Sequence, residues 1–315
     1  MAVKKIFRQL NIIKECKKYT LSLWECPSFL IVITGLITIL AMLATYVVAT
    51  EYAEPRIVAL IVIGVTAILL VISYLIVQGF EKLAEASRLK SEFVSIASHQ
   101  LRTPLTGIKW AISLIMSEKT EHLNREQLER LETIKESNQR MINLVNDLLN
   151  VSRVEEGRLG LKPEKISLDK LLQDLVEEYS LVAKAKNVKM FLEIEKKLPL
   201  ISIDPQGMKL VLHNLIDNAI RYTRGESKVK IKLSKEKRNL IRCEVEDNGV
   251  GIPQEDQKKI FQKFFRSQNV MKYQTEGTGL GLFIAKAIIK ASKGNIGFRS
   301  QEGKGSTFWI ELPIK

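Results

Sequence analysis

Two long uncharged apolar runs lie near the start of the chain, from Phe29 to Thr50 and from Ile57 to Phe80. About 20 helical residues, rising about 1.5 Å each, cross a hydrocarbon core, so either run is long enough to span a membrane. A buried helix of a soluble domain rarely keeps one apolar composition on every face for so long. The first run is also too long, and begins too late, for a cleaved secretory leader. Lys4, Lys5, Arg8, Lys14, Lys17 and Lys18 precede the first run, and Lys82, Arg88 and Lys90 follow the second. The loop between them, Glu51 to Arg56, holds one cation. The positive-inside rule therefore puts both termini in the cytoplasm of a multi-pass cell-membrane protein. So short a loop cannot bury a core of its own. Any stimulus must arrive through the bilayer, from the cytosolic side, or through a neighbouring membrane sensor or transporter. The basic N-terminal segment also makes anionic membrane lipids a candidate partner.

At 315 residues the chain has room for about two domains. Its 48 Lys and Arg against 35 Asp and Glu give a net charge of +13, which suits a nucleotide, an anionic lipid or an acidic protein surface. No nucleic-acid-binding signature accompanies the charge, so nucleic acid is not expected as a partner. Cys16, Cys26 and Cys243, like His99, His122 and His213, are too scattered for a zinc site, and no structural metal is expected. Cys16 and Cys26 fall on the cytoplasmic side, where thiols stay reduced.

Leu83, Ala86, Phe93, Ile96 and Gln100 continue a helical spacing from the second run, so the span and His99 should share one helix. Pro104 removes a backbone hydrogen bond and should bend that helix, which ends near Ser117. Asn124 followed by Gln127 has the form of a reciprocal N-cap opening a second helix. Leu128, Leu131, Ile134, Met141, Leu144, Leu148 and Val151 then recur at three- and four-residue spacing. Two helices with one apolar stripe each can bury both by pairing with a second hairpin in a four-helix bundle, which predicts a homodimer.

From about Leu161 short strands alternate with amphipathic helices. Strands are expected at Val188–Ile194, Leu200–Ile203, Val229–Leu233, Leu240–Val245, Ile296–Arg299 and Thr307–Leu312. Helices are expected at Leu168–Ala185, Gln206–Tyr222, Glu255–Phe265 and Leu280–Ala291. The pattern is that of an α/β two-layer sandwich. Asn214 and Asn218, four apart, face the same way on one helix. Asp247 ends a strand, and Gly249 and Gly251 behind it permit a turn and a close approach. Gly277, Gly279 and Gly281 lead into a helix start, where backbone N–H groups and the helix dipole favour phosphate oxygens. At least two of Phe261, Phe264 and Phe265 should be core. The polar stretch from Arg266 to Glu276 reads as a mobile lid.

Four motifs follow one another in a telling order: Ser98-His99-Gln100-Leu101-Arg102-Thr103-Pro104-Leu105, then Asn214-Leu215-Ile216-Asp217-Asn218-Ala219, Asp247-Asn248-Gly249-Val250-Gly251, and Gly277-Thr278-Gly279-Leu280-Gly281-Leu282. With the phenylalanine cluster between the last two, residues 86–315 resemble a bacterial sensor histidine kinase of the two-component type. With the charge and hydropathy pattern giving a basic N-terminal segment (1–28) and two transmembrane helices (29–80), the resemblance implies a dimerisation and histidine phosphotransfer domain (81–158) and an ATP-binding catalytic domain (159–315). The last would share its fold with gyrase and the Hsp90 chaperone. It further implies ATP and Mg²⁺ as cofactors, and the receiver domain of a response regulator as partner.

By that resemblance His99 is the phosphorylated residue; a histidine titrates near neutrality and offers a free ring nitrogen for attack on a γ-phosphate. Asn218 directs an amide oxygen at the metal and Asn214 supports it. Tyr222 lies beside the adenine, and Arg221 and Arg266 touch phosphate. Asp247 accepts from the adenine amino group, with Gly249 and Gly251 making room. Gly277, Thr278, Gly279, Leu280 and Gly281 hold phosphate oxygens. Thr103, one turn past His99, resembles the residue that positions a water for dephosphorylating the regulator. His122 and His213 lack such context and read as structural. Gln100 departs from the family pattern, which has Glu or Asp there; an amide accepts the ring N–H but takes no proton, so slower self-phosphorylation is expected. Two other readings remain at this point: a membrane-anchored ATP-binding scaffold without productive transfer, motivated by Gln100, and a gyrase-like ATPase switch in which the hairpin merely dimerises.

Overall fold

The computed structural model describes residues 27–52, 54–118, 123–223, 225–236, 239–267 and 277–314. The basic residues of the N-terminal segment, Cys16, Cys26, His122 and residues 268–276 of the expected lid lie outside them. The chain divides into two compact units, one ending at Ala97 and taking in residues 155–157, the other comprising 98–154 and the rest of the chain from Arg158.

In the first unit, helix α1 (Pro27–Tyr52) and the first part of α2 (Pro55–Glu118) hold the two apolar runs. Both are long and apolar enough to cross a membrane. Several of their hydroxyls are satisfied locally: Thr34 donates to the Leu30 carbonyl at 2.7 Å and accepts from Ser73 of α2 at 2.7 Å, whereas the buried Thr66 hydroxyl has no partner among the described residues. A hydroxyl in an apolar helix needs such partners, since hydrocarbon supplies none.

The second unit opens with a helical hairpin, formed by α2 from Ser98 and by α3 (Arg125–Glu155). Helix α2 is continuous through Pro104 and ends at Glu118, so the proline does not break it. The cap of α3 is reciprocal, as its sequence suggests: Asn124 Oδ1 accepts from Gln127 N–H at 2.8 Å, and Gln127 Oε1 accepts from Asn124 N–H at 2.9 Å. Leu105, Ile112, Val145 and Leu149 are buried. Asn138 donates from Nδ2 to the carbonyl of Leu105, the residue after the proline, at 3.0 Å. A second row, including Leu101, Leu114, Ile134, Met141 and Leu144, stays exposed, which is more apolar surface than a lone hairpin in water should show.

The remainder is a two-layer α/β domain. Strands β2 (Val188–Ile194), β4 (Ser227–Glu236), β5 (Leu240–Asp247), β6 (Asn295–Gln301) and β7 (Gly305–Pro313) form one sheet in the order β2-β4-β5-β7-β6. Only the β2–β4 pair is parallel. Strand β4 alternates strictly, with Val229, Ile231 and Leu233 buried and Lys228, Lys230 and Lys232 exposed. Helices α4 (Leu168–Ala185), α5 (Pro205–Arg221) and α6 (Gly281–Ala291) contribute Leu172, Leu175, Leu212, Leu215, Ile284 and Ile288 to the same core. Asp204 caps α5, accepting from Gly207 N–H ahead of Pro205 at the first helical position. On the open face of the sheet Arg242 pairs with Glu244 and Glu311 at 2.8 Å each and lies over Trp309.

Two expectations change. Glu255–Phe265 is not an α-helix but a run of tight turns, in which Asp256, Lys259 and Gln262 donate to carbonyls three residues back at 2.8–3.0 Å. Tertiary bonds compete there: Gln257 spans the carbonyls of Ile252 and Ser300, and Asp256 takes the Ser267 hydroxyl. A further strand, β1 (Glu164–Ile166), pairs antiparallel with β3 (Ile201–Ile203) as a separate two-stranded sheet; three residues are too few to show a period.

Candidate active site

His99 and Gln100 are exposed on α2, while Ser98 just before them is buried. The imidazole is therefore open to a second reactant. Thr103 is also exposed; its hydroxyl lies 3.5 Å from the His99 carbonyl, at the outer limit of a hydrogen bond. The back-bond is weak, which leaves the hydroxyl free to act elsewhere.

Asp247 is buried at the end of β5, where the sheet gives way to the turn holding Gly249 and Gly251. Its Oδ1 accepts from Gly249 N–H at 2.8 Å and from Ser306 N–H of β7 at 3.3 Å. Burial pushes this carboxyl up to about 6, against the pull of those two bonds. A buried carboxylate with a second oxygen to offer suits an amino-group donor. Gly251 has φ +63°, and a methyl group there would stand 2.0 Å from the Gln301 carbonyl oxygen. Only glycine fits that turn.

Helix α5 carries Asn214 and Asn218 in succession, with Arg221 and Tyr222 at its end. Asn214 lies against Gly281 at the start of α6, where a methyl group would come within 2.6 Å of Asn214 Oδ1; the Asn214 Nδ2 is buried without an acceptor. Arg221 is held by Asp217, one turn back, through Nε at 3.1 Å and Nη2 at 2.9 Å. Burial raises the Tyr222 hydroxyl above its usual range, while Arg221 and Arg266 draw it down. A methyl group at Gly277 would be 3.7 Å from both the Tyr222 hydroxyl and the Arg266 guanidinium, so these three residues meet.

The glycine loop, Gly277–Gly281, then enters α6. Gly279 has φ +69° and passes tightly over the backbone of Phe264 and Phe265. Leu280 is fully buried and its N–H donates to Thr278 Oγ1 at 3.2 Å. Phe261 and Phe265 pack on the core, whereas Phe264 is 62% exposed. Among the described residues no three His, Cys, Asp or Glu side chains converge as a metal cage. The oxygens of Asn214 and Asn218 suit an ion carried mainly by nucleotide phosphates.

Residues 203–315 match the family described as histidine kinase-, DNA gyrase B- and HSP90-like ATPase, and residues 89–157 match the His Kinase A (phospho-acceptor) domain. The chain belongs to the two-component sensor histidine kinases. Among relatives of this family, it is 38% identical over 234 residues to the sensor histidine kinase GacS of Pseudomonas protegens and 35% identical over 237 residues to BarA of Escherichia coli K12. Each match covers 73% of this chain but 25% of the relative, so the chain spans about a quarter of their length. The alginate biosynthesis sensor protein KinB of Pseudomonas aeruginosa is 32% identical, over 76% of this chain and 40% of its own. The structure of full-length ShkA in complex with AMPPNP superposes with a TM-score of 0.59 at 29% identity, covering 70% of this chain and 45% of ShkA.

The structure adds three groups around this site that the sequence does not announce. Ser306 supplies the second N–H to Asp247. Tyr179 of α4 is bonded through its hydroxyl to His213 Nδ1, consistent with a structural His213. Asp147 of α3 accepts from the Thr278 hydroxyl at 3.0 Å. The available signal for Asp147 was a carboxylate set between Leu144 and Leu148 in an otherwise apolar stripe.

Proposed function

We propose that this chain is a membrane-bound, dimeric, ATP-dependent protein-histidine kinase that phosphorylates His99 and passes the phosphoryl group to an aspartate on the receiver domain of a response regulator. One observation carries the reading. An exposed imidazole on α2 shares a compact unit with a buried acceptor at Asp247 and a glycine loop heading α6.

In this reading Asp247 accepts from the adenine amino group, Gly249 and Gly251 leave room for the base, and the Tyr222 ring lies beside it. Arg221 and Arg266 add positive charge towards the phosphates, and Gly277 to Gly281, with Thr278 and Leu280, present N–H and hydroxyl donors to their oxygens. Asn218, supported by Asn214, directs an amide oxygen at Mg²⁺, which when bound neutralises phosphate charge. The neutral ring nitrogen of His99 attacks the γ-phosphorus; the bond to the β–γ bridging oxygen breaks and ADP leaves with that electron pair. The ring keeps its proton on the other nitrogen, where the Gln100 amide oxygen can accept a hydrogen bond. Phosphoryl transfer of this kind needs positioning and charge neutralisation more than covalent help from the protein.

Both termini lie in the cytoplasm, and the exposed apolar row of the hairpin is buried against a second copy. Thr103 serves the reverse, phosphatase activity. The partition into a basic segment (1–28), spans (29–80), phosphotransfer domain (81–158) and ATP-binding domain (159–315) belongs to the same reading. Incubating the labelled chain with a purified receiver domain tests it. Label should move to the receiver and become alkali-labile, as an acyl phosphate is. Label that stays on the kinase with every receiver offered would favour a scaffold.

A further inference from the structure

Thr278 has one hydroxyl proton, and that proton goes to Asp147 rather than into the nucleotide site. The same oxygen accepts from Leu280 N–H, so the hydroxyl has no second proton to offer a phosphate. Its surroundings favour an anion: it precedes the N-terminus of α6, and the Asn214 amide nitrogen beside Gly281 is buried without an acceptor. Asp147 supplies a negative charge there from another element, α3. The carboxylate is half-buried. Burial raises its pKa, which the Thr278 bond and the charge of His213 oppose. On α3 the preceding residue, Asn146, holds Arg102 of the histidine helix.

We infer that Asp147 is a resident anion of the glycine loop, competing with the terminal phosphate of ATP for the Thr278 hydroxyl. This rests on the nucleotide site proposed above. A triphosphate brings the extra charge that must displace the carboxylate; a diphosphate does not. Asp147 therefore lowers affinity for ATP selectively. Arrival of the γ-phosphate frees the loop from α3, the helix that packs against the one bearing His99.

The test is displacement of a fluorescent nucleotide from the full chain in lipid nanodiscs with Mg²⁺, using ADP and the non-hydrolysable AMPPNP. Asp147→Ala should bind AMPPNP about 5- to 10-fold more tightly, the net worth of one ordinary hydrogen bond, with ADP changed less than about 2-fold. Asp147→Asn, which keeps the shape and loses the charge, should fall between. In a Thr278→Val background Asp147→Ala should no longer discriminate. Retained ADP binding reports an intact fold. Unchanged or weakened AMPPNP binding, an equal gain for both nucleotides, or loss of ADP binding in both Asp147 variants would each overturn the inference. Absence of nucleotide binding in the unaltered chain would instead overturn the proposed function.

Discussion

Arg102, nearly one helical turn past His99, donates from its guanidinium to the side-chain oxygen of Asn146 at 2.8 Å. The bond ties the phosphoacceptor turn of α2 to the part of α3 that reaches the glycine loop. Arg102→Ala and Asn146→Ala should each lower thermal stability by about 0.5–1.5 kcal/mol. The double variant should cost little more than either single change, since both remove one contact. Strict additivity in a denaturation series would show that the two side chains act independently.

On the proposed reading Asp247 makes nucleotide binding sensitive to pH. Its folded value of about 6 exceeds the ordinary 3.8 because the carboxyl is buried. A raised folded value means that this group's contribution to stability is complete below about 3.8 and is lost as pH rises through about 6. Nucleotide affinity runs the other way, because the adenine amino group is best met by the ionised acceptor. Titrating binding from pH 8 to 5 should show affinity falling through about 6. Asp247→Asn should bind more weakly, with no such step; a step that survives in the variant would assign it to another group.

Gly251 sets the turn that follows Asp247. With φ +63° and a carbonyl 2.0 Å from any added methyl group, Gly251→Ala combines backbone strain with a backbone clash. A loss of about 3 kcal/mol or more is expected, read as a lowered unfolding temperature together with lost nucleotide binding. A variant with unaltered melting would mean that the turn relaxes freely.

Much of this was legible beforehand, for identifiable reasons. Leu168–Ala185 has a strong amphipathic period and is a helix over those residues. The Asn124–Gln127 cap is a local motif and forms as such. Strand ends are harder: β4 extends from Ser227 to Glu236, beyond its apolar run, because pairing with β2 at its start and with β5 at its end, rather than hydrophobicity, sets its length. Glu255–Phe265 has apolar residues at helical spacing, yet Ser300, distant in sequence, and Ser267, just beyond the segment, take up its polar groups. Asp147 illustrates the limit for the site itself: nothing local announces that its partner is Thr278, 131 residues away.

On the proposed reading Gln100 supplies an amide where a carboxylate would serve His99 better. Gln100→Glu should raise self-phosphorylation by at least about tenfold, through general-base assistance and a fixed ring orientation. Single-turnover rates at saturating ATP decide the matter, and a flat or lower rate would remove the amide as a handicap.

On the proposed reading Thr103 separates the two activities. Thr103→Ala should leave self-phosphorylation within about 2-fold while slowing regulator dephosphorylation by an order of magnitude or more. Equal loss of both would make the threonine a structural residue of the proline segment.

Phosphate chemistry at His99 tests the whole account most directly. The full chain, incubated with magnesium and γ-labelled ATP, should acquire a label that acid removes and alkali spares, mapped by peptide analysis to His99 and absent from His99→Ala. Label missing from the unaltered chain, or persisting in His99→Ala, would contradict it.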